Sequence, residues 1–87
     1  MRIWARTILD NRTTNDIVIE NTDTDTRTHK IFDAIEKICY EFDLSRPIWL
    51  DSNINDFKRH SSVKFRSDSF IDEIPFDYLE LTVLEED

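Results

Sequence analysis

The chain has 87 residues, a formal net charge of -8, 39% hydrophobic residues, one Cys and no Gly. This length suits a single domain, 1–87, with one small core. The apolar content argues against disorder, and a lone Cys forms no internal disulfide. Without Gly, the chain lacks the loops that hold phosphates and dinucleotides. Its acidity argues against direct nucleic-acid binding, and its apolar runs are too short to span a membrane.

A β-hairpin is predicted at the N-terminus. Residues 2–9 alternate between two faces, which is typical of a strand, and 16–20 form a second apolar-rich run. Asp10-Asn11 and Asn15-Asp16 bracket the segment between these strands, and both residue types tolerate the left-handed backbone that Gly usually provides in turns. We therefore expect a hairpin with a loop of about five residues.

One main helix is predicted over 26–42, because its apolar residues fall on one stripe and several Thr and Asp residues before it can cap its N-terminus. The stripe consists of Ile31, Phe32, Ile35, Ile38, Cys39 and Phe42. Pro47 prevents the helix from continuing. The remaining pattern predicts a short strand over 47–50 with Trp49 buried, a brief helix over 53–60, and strands over 62–66 and 78–85.

The order of these elements, ββαβ(α)ββ, predicts an α+β domain in which one main helix packs across one face of a mixed β-sheet. Met1, Ile3, Trp4 and Arg6-Thr7 in the first strand and 79–84 in the last resemble ubiquitin-like β-grasp domains. The chain ends in Leu84-Glu85-Glu86-Asp87 without a di-glycine tail, so the resemblance does not imply conjugation to other proteins. The segments 38–44 and 47–51 also resemble short uncharacterised proteins of anaerobic Gram-positive bacteria.

No motif points to catalysis or to a metal site. Asp51-x-Asn53-x-Asn55 matches the opening of a calcium-binding loop, but Asp56 replaces the required Gly and Ser62 replaces the final Glu. Turn and cap chemistry explains this run better. The remaining metal-ligand types, His29, Cys39 and His60, lack ligand spacing. We expect neither an enzyme nor a bound metal or cofactor.

The two faces of the first strand differ in a way that suggests a binding surface. If Met1, Ile3, Ala5, Thr7 and Leu9 face the core, then Trp4 and Ile8 point outward, and Val18 joins them from the second strand. Arg2 and Arg6 flank Trp4, and aromatic residues beside Arg are common anchors of interfaces. The alternative is a register shifted by one residue, which would bury Trp4 instead.

Charge is unevenly distributed toward the C-terminus. Lys58, Arg59, Lys64 and Arg66 form a basic segment without acids, whereas 67–87 contains acids and no Lys or Arg. These charges either serve as solvated faces that resist aggregation, or the basic segment contacts phosphate or an acidic partner, or the acidic segment imitates a nucleic-acid backbone. The acids of the third interpretation are Asp72, Glu73, Asp77, Glu80, Glu85, Glu86 and Asp87.

The sequence thus predicts a small protein–protein interaction module that binds an unidentified protein through the outer face of the hairpin. An N-terminus without a signal-peptide pattern indicates a cytoplasmic location. The alternative function is an acidic inhibitor that blocks a DNA- or RNA-binding protein. An exposed edge strand also makes a homodimer possible.

Overall fold

The computed structural model describes residues 1–86. Its elements in chain order are the strands β1 (Arg2–Leu9) and β2 (Arg12–Glu20), the helices α1 (Arg27–Phe42) and α2 (Asp51–His60), strand β3 (Ser62–Phe65), a 3-10 turn (Ser67–Ser69) and strand β4 (Tyr78–Glu85). The strands form one sheet in the order β2-β1-β4-β3, and every neighbouring pair is antiparallel. The α+β class with a main helix on one face is confirmed, although the sheet contains no mixture of strand directions among the described residues.

The first hairpin is tighter than predicted. β2 begins at Arg12 instead of residue 16, so a two-residue turn replaces the expected five-residue loop. Asp10 and Asn11 have φ values of 51° and 64°, the left-handed conformation that matches the twist of a two-residue hairpin. The register shifts between Thr7 and Ile8, where the Thr14 hydroxyl lies 2.6 Å from that of Thr7.

Helix α1 lies where its pattern predicts. The Thr26 side chain accepts the His29 backbone N–H at 3.2 Å, and the left-handed Asp43 ends the helix at φ 55°. The strand predicted over 47–50 is wrong, since these residues join no strand of the sheet. The Ile48 N–H instead donates to the Ser69 carbonyl at 2.7 Å, so this extended connection is bonded to the 3-10 turn.

The core lies on one side of the sheet. Ile35 and Ile38 of α1 and Phe57 of α2 share one apolar cluster with inward residues of the strands, such as Ile3 and Phe65. Trp49 packs edge-on against Phe65, with ring centroids 4.9 Å apart. Both helices therefore cover the same side, and no helix within residues 1–86 packs on the opposite side, here called the outer face.

Within residues 1–86, no helix combines the length and apolar character that crossing a membrane requires.

Candidate interaction face of the sheet

Two rows of side chains cross the middle of the outer face, because the antiparallel register sets residues of neighbouring strands opposite one another. The first row is Val18, Trp4, Thr82 and Ser62, and the second is Asp16, Arg6, Glu80 and Lys64. The second row alternates negative and positive charge across all four strands. This face therefore combines an aromatic side chain with an ordered ladder of charges.

Trp4 is held in place on the outer face. Its indole Nε1 donates a hydrogen bond to Asp16 Oδ2 at 3.2 Å, and the Arg6 guanidinium carbon lies 4.5 Å from the ring centroid. Ile3 is 1% exposed and belongs to the core, whereas the half-buried Trp4 lies outside the core cluster. The shifted register that would bury Trp4 does not occur.

Arg6 is fixed in turn by Glu80. The Arg6 Nε and Nη2 atoms lie 2.7 Å and 2.6 Å from Glu80 Oε1. Glu80 is buried, and a buried carboxylate needs such a charged donor to offset its lost hydration. Asp16, Trp4, Arg6 and Glu80 thus form one connected chain of contacts across three strands.

Two residues of the first strand differ from their predicted exposure. Ile8, assigned to the binding surface, is 5% exposed and offers a partner almost no area. Leu9, assigned to the core, is 38% exposed. Ile8 lies beside its register partner Tyr78 on β4 and outside the core cluster, whereas Leu9 extends past the paired residues of β4. The register shift after Thr7 adds its extra residue, Thr14, to β2 and leaves the alternation of β1 intact.

Val18 and Arg2 lie where the hairpin prediction requires. Val18 is 42% exposed and is the register partner of Trp4. Arg2 forms ion pairs with Glu20 at 3.2 Å and with Glu85 at 3.3 Å, so its charge is balanced by both neighbouring strands.

The four residues of the predicted basic segment lie in two different places in the structure. Lys64 and Arg66 both lie over the Tyr78 ring, at 5.0 Å and 5.2 Å from its centroid. Lys58 instead lines a cleft between α1 and α2, and Arg59 is exposed on α2. Sequence reasoning did not connect Tyr78 with the hairpin. Alternation placed it on one face of β4, but only the pairing of β4 with β1 sets it opposite Ile8.

Four of the eight acids in the C-terminal segment have partners in the chain. Glu80 and Glu85 bind Arg6 and Arg2, and Glu86 receives a forked contact from Arg27, with Nη2 2.9 Å from Oε1. Asp77 Oδ2 accepts the Asp10 N–H at 3.0 Å. Asp72 and Glu73 are exposed, and Asp87 lies outside the described residues. The segment is therefore not a continuous strip of unpaired carboxylates.

The three residues of metal-ligand type, His29, Cys39 and His60, lie apart from one another in the fold. His29 Nδ1 lies 2.9 Å from Asp25 Oδ1, and this hydrogen bond is the main reason why the pKa of Asp25 is lowered. Burial raises the pKa of the Cys39 thiol to about 11, which keeps it protonated at neutral pH. His60 is exposed at the end of α2. Residues 1–86 contain no group of three or more His, Cys, Asp or Glu that could hold a metal ion.

No protein-family model matches the chain, and neither a curated protein nor a solved structure is significantly similar to it. The fold and its outer face alone define the class: a small α+β domain whose four-stranded antiparallel sheet carries both described helices on one side. This arrangement is compatible with a β-grasp-like fold.

Proposed function

We propose that the protein is a small interaction module that binds a partner protein through the outer face of the first hairpin, with Trp4 as the anchor. The observation that carries this proposal is the position of Trp4, fixed by Asp16 and Arg6, on a sheet face that no helix of the described residues covers. A side chain already held in one orientation loses little conformational freedom on binding. Aromatic and Arg side chains dominate the binding energy of many interfaces.

The contact surface comprises Trp4 with Val18, Arg2 and Arg6, and it excludes Ile8 because Ile8 is buried. The alternating charges of the second row would fix the orientation of the partner, since a wrong register places like charges together. The proposal includes a cytoplasmic location. It also includes a ubiquitin-like relationship, which the sequence pattern of the first and last strands supports.

The test begins with affinity capture from the native host and identification of bound proteins by mass spectrometry. The affinity of the recovered partner is then compared between wild type, Trp4→Ala and Ile71→Ala. We expect Trp4→Ala to weaken binding by about 30-fold or more, as for a residue at the centre of an interface. Ile71 is a matched control, because it is apolar, 81% exposed and distant in sequence from the hairpin. If Ile71→Ala abolishes binding and Trp4→Ala does not, the hairpin face is not the interface.

Salt dependence separates this function from the acidic inhibitor. An inhibitor that occupies a nucleic-acid groove would lose affinity steeply, by about tenfold or more between roughly 50 and 200 mM salt, because its contacts are between exposed charges. Binding centred on Trp4 would change little over the same range. The ion pairs of Glu80, Glu85 and Glu86 weigh against the inhibitor, since these carboxylates are already engaged by Arg residues.

A further inference from the structure

We propose that β2 is a docking edge for an extended, basic segment of a partner polypeptide. The segment adds to the sheet beside β2 and places alternate side chains in the groove between β2 and α1. This inference goes beyond the proposed function, because it uses the backbone of the edge strand and the groove rather than Trp4.

The backbone of β2 presents unpaired hydrogen-bonding groups along its free edge. Met1 and Asn21 exchange two hydrogen bonds, since the Asn21 N–H donates to the Met1 carbonyl and the Met1 amino group donates to Asn21 O, both at 2.9 Å. Antiparallel pairs alternate between bonded and non-bonded, and the register runs unbroken from Met1 to Thr7. The N–H and C=O groups of Asp16, Val18 and Glu20 therefore point away from β1. No strand within residues 1–86 pairs with them.

The opposite edge of the sheet is protected. On β3, the Lys64 carbonyl accepts a hydrogen bond from Asn53 Nδ2 at 3.1 Å, so α2 occupies part of that edge. Proteins commonly cover sheet edges to prevent unwanted strand pairing. β2 is exposed over most of its nine residues, and no other element within residues 1–86 is hydrogen-bonded to its outer edge.

A groove of about 470 Å³ runs beside this edge, between β2 and α1. Ile17, Ile19 and Tyr40 provide its apolar surface. Its charged lining residues are Asp33, Glu36, Glu41 and Lys37, three carboxylates against one ammonium group. An added strand alternates its side chains between the two faces of the sheet, so every second residue would face this groove.

Charge identifies the occupant. Residues of the added strand that pair with Asp16, Val18 and Glu20 project on the outer face beside two carboxylates. Asp16 already accepts the Trp4 indole N–H and Glu20 already pairs with Arg2, but both contacts are exposed and therefore weak, so Lys or Arg is still favoured at those positions. The intervening residues meet Ile17 and Ile19 and are therefore apolar. A second copy of this chain fits poorly, because it also carries a net charge of -8. Antiparallel pairing of two β2 strands centred on Asp16 or on Val18 would set acidic residues opposite one another.

The probe for this proposal is a capped heptapeptide of alternating Lys and Val, and its control is the same peptide with Glu in place of Lys. We expect the basic peptide to shift the NMR amide signals of Asp16, Val18 and Glu20 and to slow their hydrogen exchange, and the acidic peptide to bind at least about tenfold more weakly. Absence of these shifts at millimolar basic peptide, or equal binding of both peptides, would overturn the proposal.

N-methylation of the probe tests the strand pairing without altering the protein. When the added strand runs antiparallel to β2, the Lys residues form the hydrogen-bonded pairs with Asp16, Val18 and Glu20, so their N–H groups face β2, whereas those of the Val residues face away. N-methylation at Lys should weaken binding by about tenfold or more, and N-methylation at Val should have a much smaller effect. Equal effects of the two methylation patterns would contradict the proposed pairing.

Protein variants separate this proposal from the function of the outer face. Val18→Pro removes an outward N–H, a position at which edge strands tolerate Pro, and should weaken probe binding by about tenfold. Val18→Thr keeps the N–H and the branched shape, and should bind the probe as wild type does. Trp4→Ala removes the indole donor to Asp16 but leaves the backbone edge of β2 intact, so the probe should still shift the amide signals of Val18 and Glu20, and either proposal can fail alone. If sedimentation and NMR measurements show a dimer paired through β2, the occupant of this edge is a second copy of the chain, and the proposal of a basic partner segment is overturned.

Discussion

At the scale of single residues, the buried Asn53 side chain makes hydrogen bonds to three different segments of the fold. It is 6% exposed, and its Oδ1 accepts hydrogen bonds from the Leu50 N–H at 3.0 Å and the Ser69 hydroxyl at 3.2 Å. Its Nδ2 donates to the Lys64 carbonyl. One amide therefore joins the start of α2, the 3-10 turn and the edge strand β3. The Asp51-x-Asn53-x-Asn55 run serves local structure at this position.

We predict that Asn53→Ala destabilises the protein by about 2–4 kcal/mol, because it leaves buried donors and acceptors without partners. The measurement is the free energy of unfolding from urea titration. Asn55→Ala makes the same chemical change at an exposed position of the same helix and should cost less than about 0.5 kcal/mol. Equal losses for the two variants would contradict the role of the hydrogen-bond network, because Asn→Ala raises helix propensity at both positions.

At the scale of elements, the chain ends its helices and turns its hairpin without Gly. Among residues 1–86, four adopt positive φ: Asp10, Asn11, Asp43 and Ser61. At the end of α1, the left-handed Asp43 allows the Leu44 N–H to donate to the Cys39 carbonyl at 2.8 Å. Leu44 then packs against the core. Gly is the usual residue at such a position, and an acid there also opposes the negative end of the helix dipole.

Asp43→Gly is expected to raise the free energy of unfolding by about 0.5–1 kcal/mol, since it relieves the left-handed backbone and the charge at the helix end. Asp33→Gly is the matched control, because the same change in the middle of α1 should lower stability by up to about 1 kcal/mol. Thermal unfolding followed by circular dichroism measures both effects. If Asp43→Gly does not raise the free energy of unfolding, the left-handed backbone and the charge of Asp43 do not destabilise the end of α1.

The sequence predicted β1 and β4 correctly and the strand over 47–50 wrongly, and the structure shows why. Alternation identified β1 and β4, because each has one face against the core and one away from it. The run Ile48-Trp49-Leu50 was wrongly predicted as a strand, since a short apolar run does not show whether it pairs with a neighbour. In the structure, Trp49 fills space between Phe32, Phe57 and Phe65. Only the packing of distant elements creates that space.

At the scale of the whole molecule, negative charges outnumber positive ones, with 19 Asp and Glu against 11 Lys and Arg. The outer face and the C-terminal segment organise some of these charges into pairs, but the excess carboxylates repel one another across a small surface. Exposed ion pairs are each worth little, so the repulsion of the excess should dominate the response to salt.

Addition of NaCl from about 20 to about 300 mM should therefore raise the free energy of unfolding, by up to about 1 kcal/mol. The double variant Asp72→Asn, Glu73→Gln removes two exposed negative charges and should show a smaller gain. Urea unfolding at several salt concentrations measures both proteins. A loss of stability with salt would show that the ion pairs outweigh the repulsion.

The sequence by itself determined the α+β class, the position of α1 and the alternation of β1 and β4, because local periodicity records which side of an element meets the core. It also indicated Trp4, Arg2 and Arg6 as neighbours, since they lie on one face of one strand. Only the tertiary structure decided that β4 lies beside β1, that Glu80 holds Arg6, that Ile8 is buried and that β2 is an edge strand of the described sheet. These features depend on contacts between residues far apart in the chain, which local patterns do not encode.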